Sequence, residues 1–332
     1  MKKCVYIFML FLAGHALHAQ QLPLYSQYLY NKFLINPAVA GSDGFTSFNL
    51  TAREQWIGYN GAPRTYSFSW QNRILKRGYQ LRENIFNKTV YRAKTEGRAG
   101  YGAYFFSDRN GLVHRTGFQG AYTYHIWVAD YTQLSMGLAF TGYHFRIDAN
   151  DKSFEDQSEP WLNNNLRRGV FIPDFDFGIN ILDPGFEVGL SAQQMLGAIA
   201  KLGKVAYRNY WMDRHFYLYG SYNFYSGTKI ELKPSLLVKM SEQLRPQVDL
   251  GLTYTFDQSF WAGLSYRTGS SLVANIGFRH FNNRVKLTTM YFGYSFDFTL
   301  NKIQSVTYGT HEFTMALKIG DRLKRFRWID RF

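Results

Sequence analysis

Residues 247–256 read QVDLGLTYTF, and every second side chain in this stretch is apolar or aromatic while those between are polar or small. Residues 185–193 (GFEVGLSAQ) and 312–319 (EFTMALKI) follow the same rule. Successive side chains of a β-strand point to opposite faces, so a period of two predicts strands with one apolar and one polar face. This alternation is the dominant pattern of the chain.

About fourteen segments carry the alternation, each of ~10 residues, which is the length that a membrane-spanning strand needs. They begin near residues 46, 64, 98, 116, 132, 173, 185, 214, 228, 246, 259, 271, 286 and 310. Turn-forming sequences such as Asp183-Pro184-Gly185 separate many of them. Nothing between the segments reads as a long amphipathic helix.

Two all-β architectures produce this pattern. In a soluble sandwich or propeller the apolar faces meet in a core, whereas in a transmembrane barrel they meet lipid and the polar faces line the interior. The even number of segments and their length, beyond the ~5–6 residues of ordinary strands, favour the barrel. Aromatic residues near strand ends, such as Phe224, Tyr225, Phe260 and Trp261, are typical of an interfacial girdle. We therefore predict an all-β outer-membrane barrel of about 14 antiparallel strands, with short periplasmic turns and longer extracellular loops.

The composition and the first residues agree with export. Of 332 residues 18% are aromatic and one is a cysteine, which excludes a disordered chain and a disulfide-stapled scaffold. Residues 1–19 combine two lysines, a short apolar run and Ala19 before Gln20, the pattern of a secretory signal peptide. Cleavage is expected after Ala19, with Ala16 as the second choice. The expected location is the outer membrane of a Gram-negative cell, after cleavage.

We divide the rest of the chain into a mouth or plug segment (20–43), a barrel (44–319) and a basic tail (320–332). A periplasmic N-terminus puts the short connections 183–185, 226–228 and 257–259 on the inner side. The long connections 147–171, 196–213 and 299–309 then lie outside. Residues 74–97 break this rule, because they form a long basic insertion that falls on the inner side.

The basic insertion and tail have two explanations. Like charges repel and extend a chain, so both can be solvated linkers. Alternatively, they form a docking surface for an acidic periplasmic partner. The candidate docking residues are Lys76, Arg77, Arg82, Lys88, Arg92, Lys94, Lys324, Arg325 and Arg327.

Motifs for catalysis and cofactors are missing from the sequence. It contains no nucleotide-binding glycine motif, no His-Glu-x-x-His, no Gly-x-Ser-x-Gly and no cysteine cluster. Asp174 and Asp176 share one strand face, yet the polar lining of a lumen explains them as well as acid–base catalysis does. The acidic loop at 155–159 lacks the spacing of a known calcium motif. We predict a protein that is not an enzyme, with no cofactor, no metal and no nucleic-acid partner.

The most distinctive motifs of the sequence follow the predicted signal peptide. Residues 24–31 (LYSQYLYN) and 35–41 (INPAVAG) are followed by 53–58 (REQWIG) and 61–65 (GAPRT). In these motifs the chain resembles the PorP/SprF family of type IX secretion-system outer-membrane proteins of the Bacteroidetes. The family-motif candidates, also candidates for partner contact, are Gln27, Tyr28, Asn31, Asn36, Pro37, Gly41, Gln55, Trp56, Gly58, Gly61 and Pro63.

The resemblance implies a non-enzymatic component of the type IX secretion and gliding machinery that supports export or surface retention of large cell-surface proteins. The implied partners are outer-membrane lipid, the periplasmic machinery including a peptidoglycan-binding lipoprotein, and secreted cargo. Residues 74–97 and the basic tail depart from the family's pattern. The alternative function is a passive outer-membrane transporter of small or hydrophobic solutes.

The opening motif also has a physical interpretation. Asn36-Pro37-Ala38 and Ala40-Gly41 are turn-prone, so the segment before the first strand is not a long strand. Either this segment folds into the inner mouth of the barrel as a plug, which we favour, or it begins the barrel wall.

Overall fold

The computed structural model describes residues 25–74, 98–129, 131–148, 169–197, 213–227, 229–242, 246–269, 271–282 and 288–319. The predicted signal peptide (1–19), the basic tail (320–332) and all nine basic docking candidates lie outside the described residues. So do residues 155–159 and all but the first residue of the insertion 74–97.

The described chain is built from β-strands, which we number in chain order. They are β1 (Thr46–Glu54), β2 (Arg64–Ile74), β3 (Ala99–Asn110), β4 (Val113–Trp127), β5 (Gln133–Ile147), β6 (Val170–Leu182), β7 (Phe186–Gln193), β8 (His215–Tyr222), β9 (Phe224–Ser226), β10 (Ile230–Ser241), β11 (Gln247–Phe256), β12 (Phe260–Arg267), β13 (Ser271–Asn282), β14 (Thr288–Thr299) and β15 (Thr310–Ile319). Three 3₁₀ turns accompany them: Lys32–Leu34, Pro37–Val39 and Lys302–Val306. Among the described residues, no helix has the length and apolar character needed to cross a membrane.

The strands form a closed antiparallel barrel. Each strand pairs with its neighbours in sequence, and β1 pairs with both β2 and β15, which closes the wall. β9 continues β8 past Asn223, and both pair with β10, so the wall has fourteen strands. The predicted fold and strand number are confirmed, and every predicted segment start lies within three residues of an observed strand start. Because β15 pairs back onto β1, the sheet has no free first or last strand, as a barrel in lipid requires.

Alternation in the sequence becomes alternation across the wall. On β1, Asn49, Thr51 and Arg53 point inward and are buried, whereas Leu50 points outward and is exposed. The same division holds around the barrel, where many outward side chains are large and apolar, among them Phe105, Leu138, Leu250 and Leu264. Because such residues are driven out of water, the outward surface fits a lipid environment. The inward surface is mostly polar, with buried aromatic residues such as Tyr104, Tyr217 and Tyr219 among its polar side chains.

The connections divide the barrel into two different ends. The short-turn mouth carries the ends of β6, β9 and β11 and the starts of β7, β10 and β12, together with the start of β1 and the end of β15. The loop mouth carries the connections at 55–63 and 300–309. Asp257 and Gln258 both have positive φ (49° and 52°), the geometry of a tight two-residue hairpin turn.

One expectation about the aromatic girdle is wrong. Trp261 does not face lipid: it points into the barrel, is 6% exposed, and stacks on Tyr30 with ring centroids 4.6 Å apart. Alternation decides this, since Phe260 next to it takes the outward position and is 64% exposed.

Candidate functional site

Residues 25–45, here called the N-terminal segment, lie inside the barrel and enter β1 at the short-turn mouth. The segment makes two 3₁₀ turns instead of a strand. Pro37 begins the second turn, where a missing N–H group costs nothing, and the Asn36 side chain accepts a hydrogen bond from the Ala38 N–H at 2.9 Å. Gly41 has a φ of 67° and passes so close to the wall that a Cβ would lie 2.6 Å from the Asn72 carbonyl oxygen.

The beginning of this segment is held by carboxylates from the barrel wall. Glu312 accepts the backbone N–H groups of Ser26 and Gln27 at 2.8 and 2.9 Å. The Ser26 hydroxyl lies 2.8 and 2.7 Å from the two carboxylate oxygens of Asp297. Arg53 contacts both acids, at 2.8 Å from Glu312 and 2.7 Å from Asp297. These three charged side chains are no more than 3% exposed, so one cation lies between two buried carboxylates, which also accept hydrogen bonds from Ser26 and Gln27 of the segment.

Two further strands extend this arrangement into a buried network. Arg267 lies 2.8 Å from Asp249 and 3.2 Å from Asp297. Loss of one partner from a buried ion pair leaves an uncompensated charge, which typically costs about 3–5 kcal/mol. We call the network the charged anchor; its members are Arg53, Asp249, Arg267, Asp297 and Glu312.

Asn36 fixes the middle of the segment against the opposite side of the wall. Its amide donates to the Ile179 carbonyl at 3.0 Å and to the Tyr219 hydroxyl at 3.1 Å. Tyr219 in turn donates to Asn180 at 2.8 Å. Since Asn36 is fully buried, each of these bonds replaces one that water would otherwise make.

Glycines on the inner face of the wall make room for the segment. A Cβ at Gly137 would lie 2.5–2.6 Å from the backbone of Pro37 and Ala38, and one at Gly178 would collide with the Asn36 side-chain oxygen. A Cβ would also meet the segment at Gly100, Gly102 and Gly293. The wall and the segment are therefore complementary in shape, with small wall residues where the segment approaches most closely.

Apolar residues of the segment form a core within the barrel. Phe33 is fully buried, and Leu34 and Ile35 are each 5% exposed. They cluster with inward tyrosines of the wall, and the hydroxyls of Tyr25 and Tyr104 lie 2.7 Å apart. Burial of this apolar surface stabilises the segment inside the barrel, because the same residues would otherwise face water.

Polar contacts hold the end of the segment at the short-turn mouth. Lys32 forms an ion pair with Glu187, and Asp43 lies 3.0 Å from the Lys318 ammonium group. Gln133 donates to the Ser42 carbonyl at 3.0 Å. The segment is thus bonded near its beginning, its middle and its end.

The eleven family-motif candidates fall in two places. Gln27, Tyr28, Asn31, Asn36, Pro37 and Gly41 belong to the N-terminal segment and are buried in the barrel. Gln55, Trp56, Gly58, Gly61 and Pro63 form the connection between β1 and β2 at the loop mouth. The structure does not bring the two groups together.

At the loop mouth the motif residues contact other connections. The Gln55 N–H donates to the Pro63 carbonyl at 2.8 Å, which closes the β1–β2 connection. The Ile57 N–H donates to the Gly309 carbonyl at 2.9 Å, and the Tyr308 ring covers Gly58. We call residues 55–63 the rim connection; its exposed neighbour Tyr308 is 78% accessible to solvent.

Asp174 and Asp176 are already engaged in structural hydrogen bonds. Asp176 accepts from the Gln194 N–H at 2.9 Å and from the Thr141 hydroxyl at 2.7 Å. Asp174 accepts the Leu196 N–H at 2.7 Å. Both carboxylates therefore position the chain that leaves β7. Among the described residues, no group of three or more His, Cys, Asp or Glu side chains could hold a metal ion.

Sequence reasoning missed the wall side of this site. The charged anchor and the inward glycines were not among the candidates, although a signal existed: charged residues such as Arg53, Asp297 and Glu312 occupy the polar face of a membrane strand. A buried charge in a barrel needs a partner, so such residues indicate an interior network.

Comparison with protein families gives a clear match. The model described as "Type IX secretion system membrane protein PorP/SprF" matches residues 17–317. No curated protein matches the chain in sequence.

Solved barrels resemble the chain only distantly. The Ralstonia pickettii toluene transporter TbuX is 13% identical with a TM-score of 0.49, covering 87% of this chain and 93% of its own. The Pseudomonas putida toluene transporter TodX is 8% identical with a TM-score of 0.47, covering 87% and 91%. A Pseudomonas aeruginosa FadL homologue is 10% identical with a TM-score of 0.45, covering 90% and 94%.

The family assignment rests on the sequence match over most of the chain. The chain belongs to the PorP/SprF family of type IX secretion system membrane proteins.

Proposed function

We propose that this PorP/SprF family member is a non-enzymatic outer-membrane component of the type IX secretion and gliding machinery of a Bacteroidetes cell. In this role it supports the export or surface retention of large cell-surface proteins by binding other proteins. Family membership supports the secretion role, and the filled interior supports action by binding.

The observation that carries the proposal is the position of the N-terminal segment. It bonds to β1, β14 and β15 through the charged anchor, to β6 and β8 through Asn36, and to β5 and β7 near the short-turn mouth. A passive transporter needs an open or gated lumen. A lumen crossed by a bonded segment with its own apolar core suits a scaffold better than a conduit.

The proposed orientation places the short-turn mouth in the periplasm, after removal of residues 1–19 as a signal peptide. Bacterial barrels commonly have short periplasmic turns and longer outer loops, which supports this choice. The N-terminal segment then spans the lumen, from the charged anchor near the loop-mouth ends of β1 and β14 to the periplasmic mouth, where it enters β1. The partners proposed there are the periplasmic machinery with its peptidoglycan-binding lipoprotein, with the basic residues of 74–97 and 320–332 as a docking surface.

Surface proteomics of a deletion strain tests this function. We expect one or a few large surface proteins to disappear, while uptake of small solutes stays at the wild-type level. Complementation with the intact gene should restore the missing surface proteins. An unchanged surface proteome combined with altered solute uptake would instead support the passive-transporter function.

A further inference from the structure

The short-turn mouth contains a cavity of about 510 Å³ that the N-terminal segment does not fill. Leu29, Tyr30 and Lys32 of the segment line it, together with inward residues of the surrounding strands. Ligand sites in proteins commonly measure about 300–1,000 Å³, so this cavity is large enough for several side chains of a partner.

Aromatic rings and cations share one wall of the cavity. Tyr30 stacks on Trp261, and the ring of Tyr291 lies 6.2 Å from that of Trp261. The Lys318 ammonium group lies 5.5 Å and the Arg279 guanidinium 5.9 Å from the centre of the Tyr291 ring. Rigid aromatic side chains offer a large contact area at a low entropic cost, so this wall suits an apolar or aromatic side chain.

The carboxylates of the cavity are already engaged. Asp43 pairs with Lys318, Glu187 with Lys32, and Glu231 with Lys233 at 3.4 Å. The fourth carboxylate, Asp183, accepts hydrogen bonds from the Thr132 hydroxyl at 2.8 Å and from the Gly185 N–H at 3.0 Å.

Two cations of the cavity remain available. Within the described part of the chain, neither Lys229 nor Arg279 has a carboxylate within 4.0 Å. Lys229 is exposed, and Arg279 makes a side-chain hydrogen bond of 3.2 Å to Gln258. The positive charge that the cavity can offer a ligand therefore exceeds the negative charge.

We infer that this cavity binds an acidic peptide segment of a separate periplasmic protein. Carboxylates of the segment pair with Lys229 and Arg279, and an aromatic or aliphatic side chain packs against Tyr30, Trp261 and Tyr291. A small inorganic anion would use the cations but leave most of the volume and the aromatic wall without contact. The inference rests on the proposed function, because that function supplies a protein partner on this side of the membrane.

Peptide titration on the purified full chain in lipid nanodiscs tests the site. The probe is a fluorescent hexapeptide of alternating glutamate and tryptophan, and its counterpart carries lysine in place of glutamate. We expect the glutamate peptide to bind at least about tenfold more tightly, with an affinity that falls as salt rises. Equal binding of both peptides, or binding of neither, would overturn the site.

Matched variants locate the binding. Lys229→Gln with Arg279→Gln should weaken the glutamate peptide about tenfold or more, because two charge-assisted contacts are lost. Lys302→Gln, an exposed lysine at the opposite mouth, should change nothing. Lys229→Gln alone alters an exposed turn residue and should also weaken binding, so the test does not depend on the folding of the double variant. Unchanged affinity in both the single and the double variant would refute the site.

The two proposals can fail separately. Peptide binding is measured on the purified protein, whereas the secretion role is judged from the surface proteome of the deletion strain. If the deletion strain loses surface proteins but the purified protein binds no peptide, only the proposed binding site is refuted. If the peptide binds but the surface proteome is unchanged, only the proposed secretion role is refuted.

Discussion

The two halves of the family motif meet opposite surroundings. The half in the N-terminal segment is buried and bonded to strands on several sides of the barrel, including β1, β6, β8, β14 and β15. The half in the rim connection is bonded to neighbouring connections and lies beside the exposed Tyr308. One motif therefore has two structural settings: an interior half that stabilises the barrel and occupies its lumen, and a rim half that joins neighbouring connections at the loop mouth.

The largest expected effect comes from the charged anchor. Arg53→Met removes the cation between Asp297 and Glu312 and leaves two buried carboxylates poorly compensated, so unfolding should become easier by about 3–5 kcal/mol. Urea titration of the protein in lipid vesicles measures this. The neighbouring variant Glu54→Gln is the control: its pair with Arg64 is 3.6 Å long and exposed, and should contribute less than about 1 kcal/mol. Similar effects of both variants would remove the contrast between interior and rim.

A wall glycine tests the fit between segment and barrel. Gly178→Val places side-chain atoms where the Asn36 oxygen lies, and such overpacking should destabilise the protein by up to about 3 kcal/mol. The segment should be displaced, so ion conductance should appear in planar bilayers where the wild type shows little. Gly120→Val is the matched control, since a Cβ there meets nothing within 4 Å. A Gly178→Val protein that stays closed and stable would show that the interior tolerates another packing.

Two helix-capping asparagines give a matched pair between interior and rim. Asn36→Ala removes a cap and two buried hydrogen bonds and should cost about 2 kcal/mol in unfolding free energy. Asn301 caps the 3₁₀ turn at the loop mouth without a side-chain hydrogen bond, so Asn301→Ala should change stability by less than about 0.5 kcal/mol. Equal urea midpoints for the two variants would contradict the conclusion that the Asn36 hydrogen bonds hold the segment in the barrel.

The smallest effect on stability is expected at the rim itself. Tyr308→Ala removes an exposed ring from Gly58 and should shift the free energy of unfolding by less than about 0.5 kcal/mol. If the rim half works by contact, the same variant should still reduce the amount of surface protein recovered with the barrel by affinity purification. Full recovery of those proteins would leave the rim without a demonstrated role.

Much of the fold could be predicted because a strand's alternation is a local property. The stretch 247–256 already shows which of its side chains face each way, and the same period places the other wall strands. Trp261 shows the limit of that reasoning. Its aromatic side chain near a strand end predicted a lipid-facing girdle, but its position in the alternation points it inward. Closure of β15 onto β1 follows from the need to leave no unpaired edge in lipid.

The strands, their two faces, the family and the turn-prone character of residues 36–41 can all be read from the order of residues. Folding is what brings Arg53 to Asp297, 244 positions away, places Gly178 under Asn36, and puts Lys229 and Arg279 at one mouth. A period of two states which side chains point inward but not which of them meet. That pairing depends on the stagger of fourteen strands around a closed wall and on the path of a segment with no repeating pattern of its own.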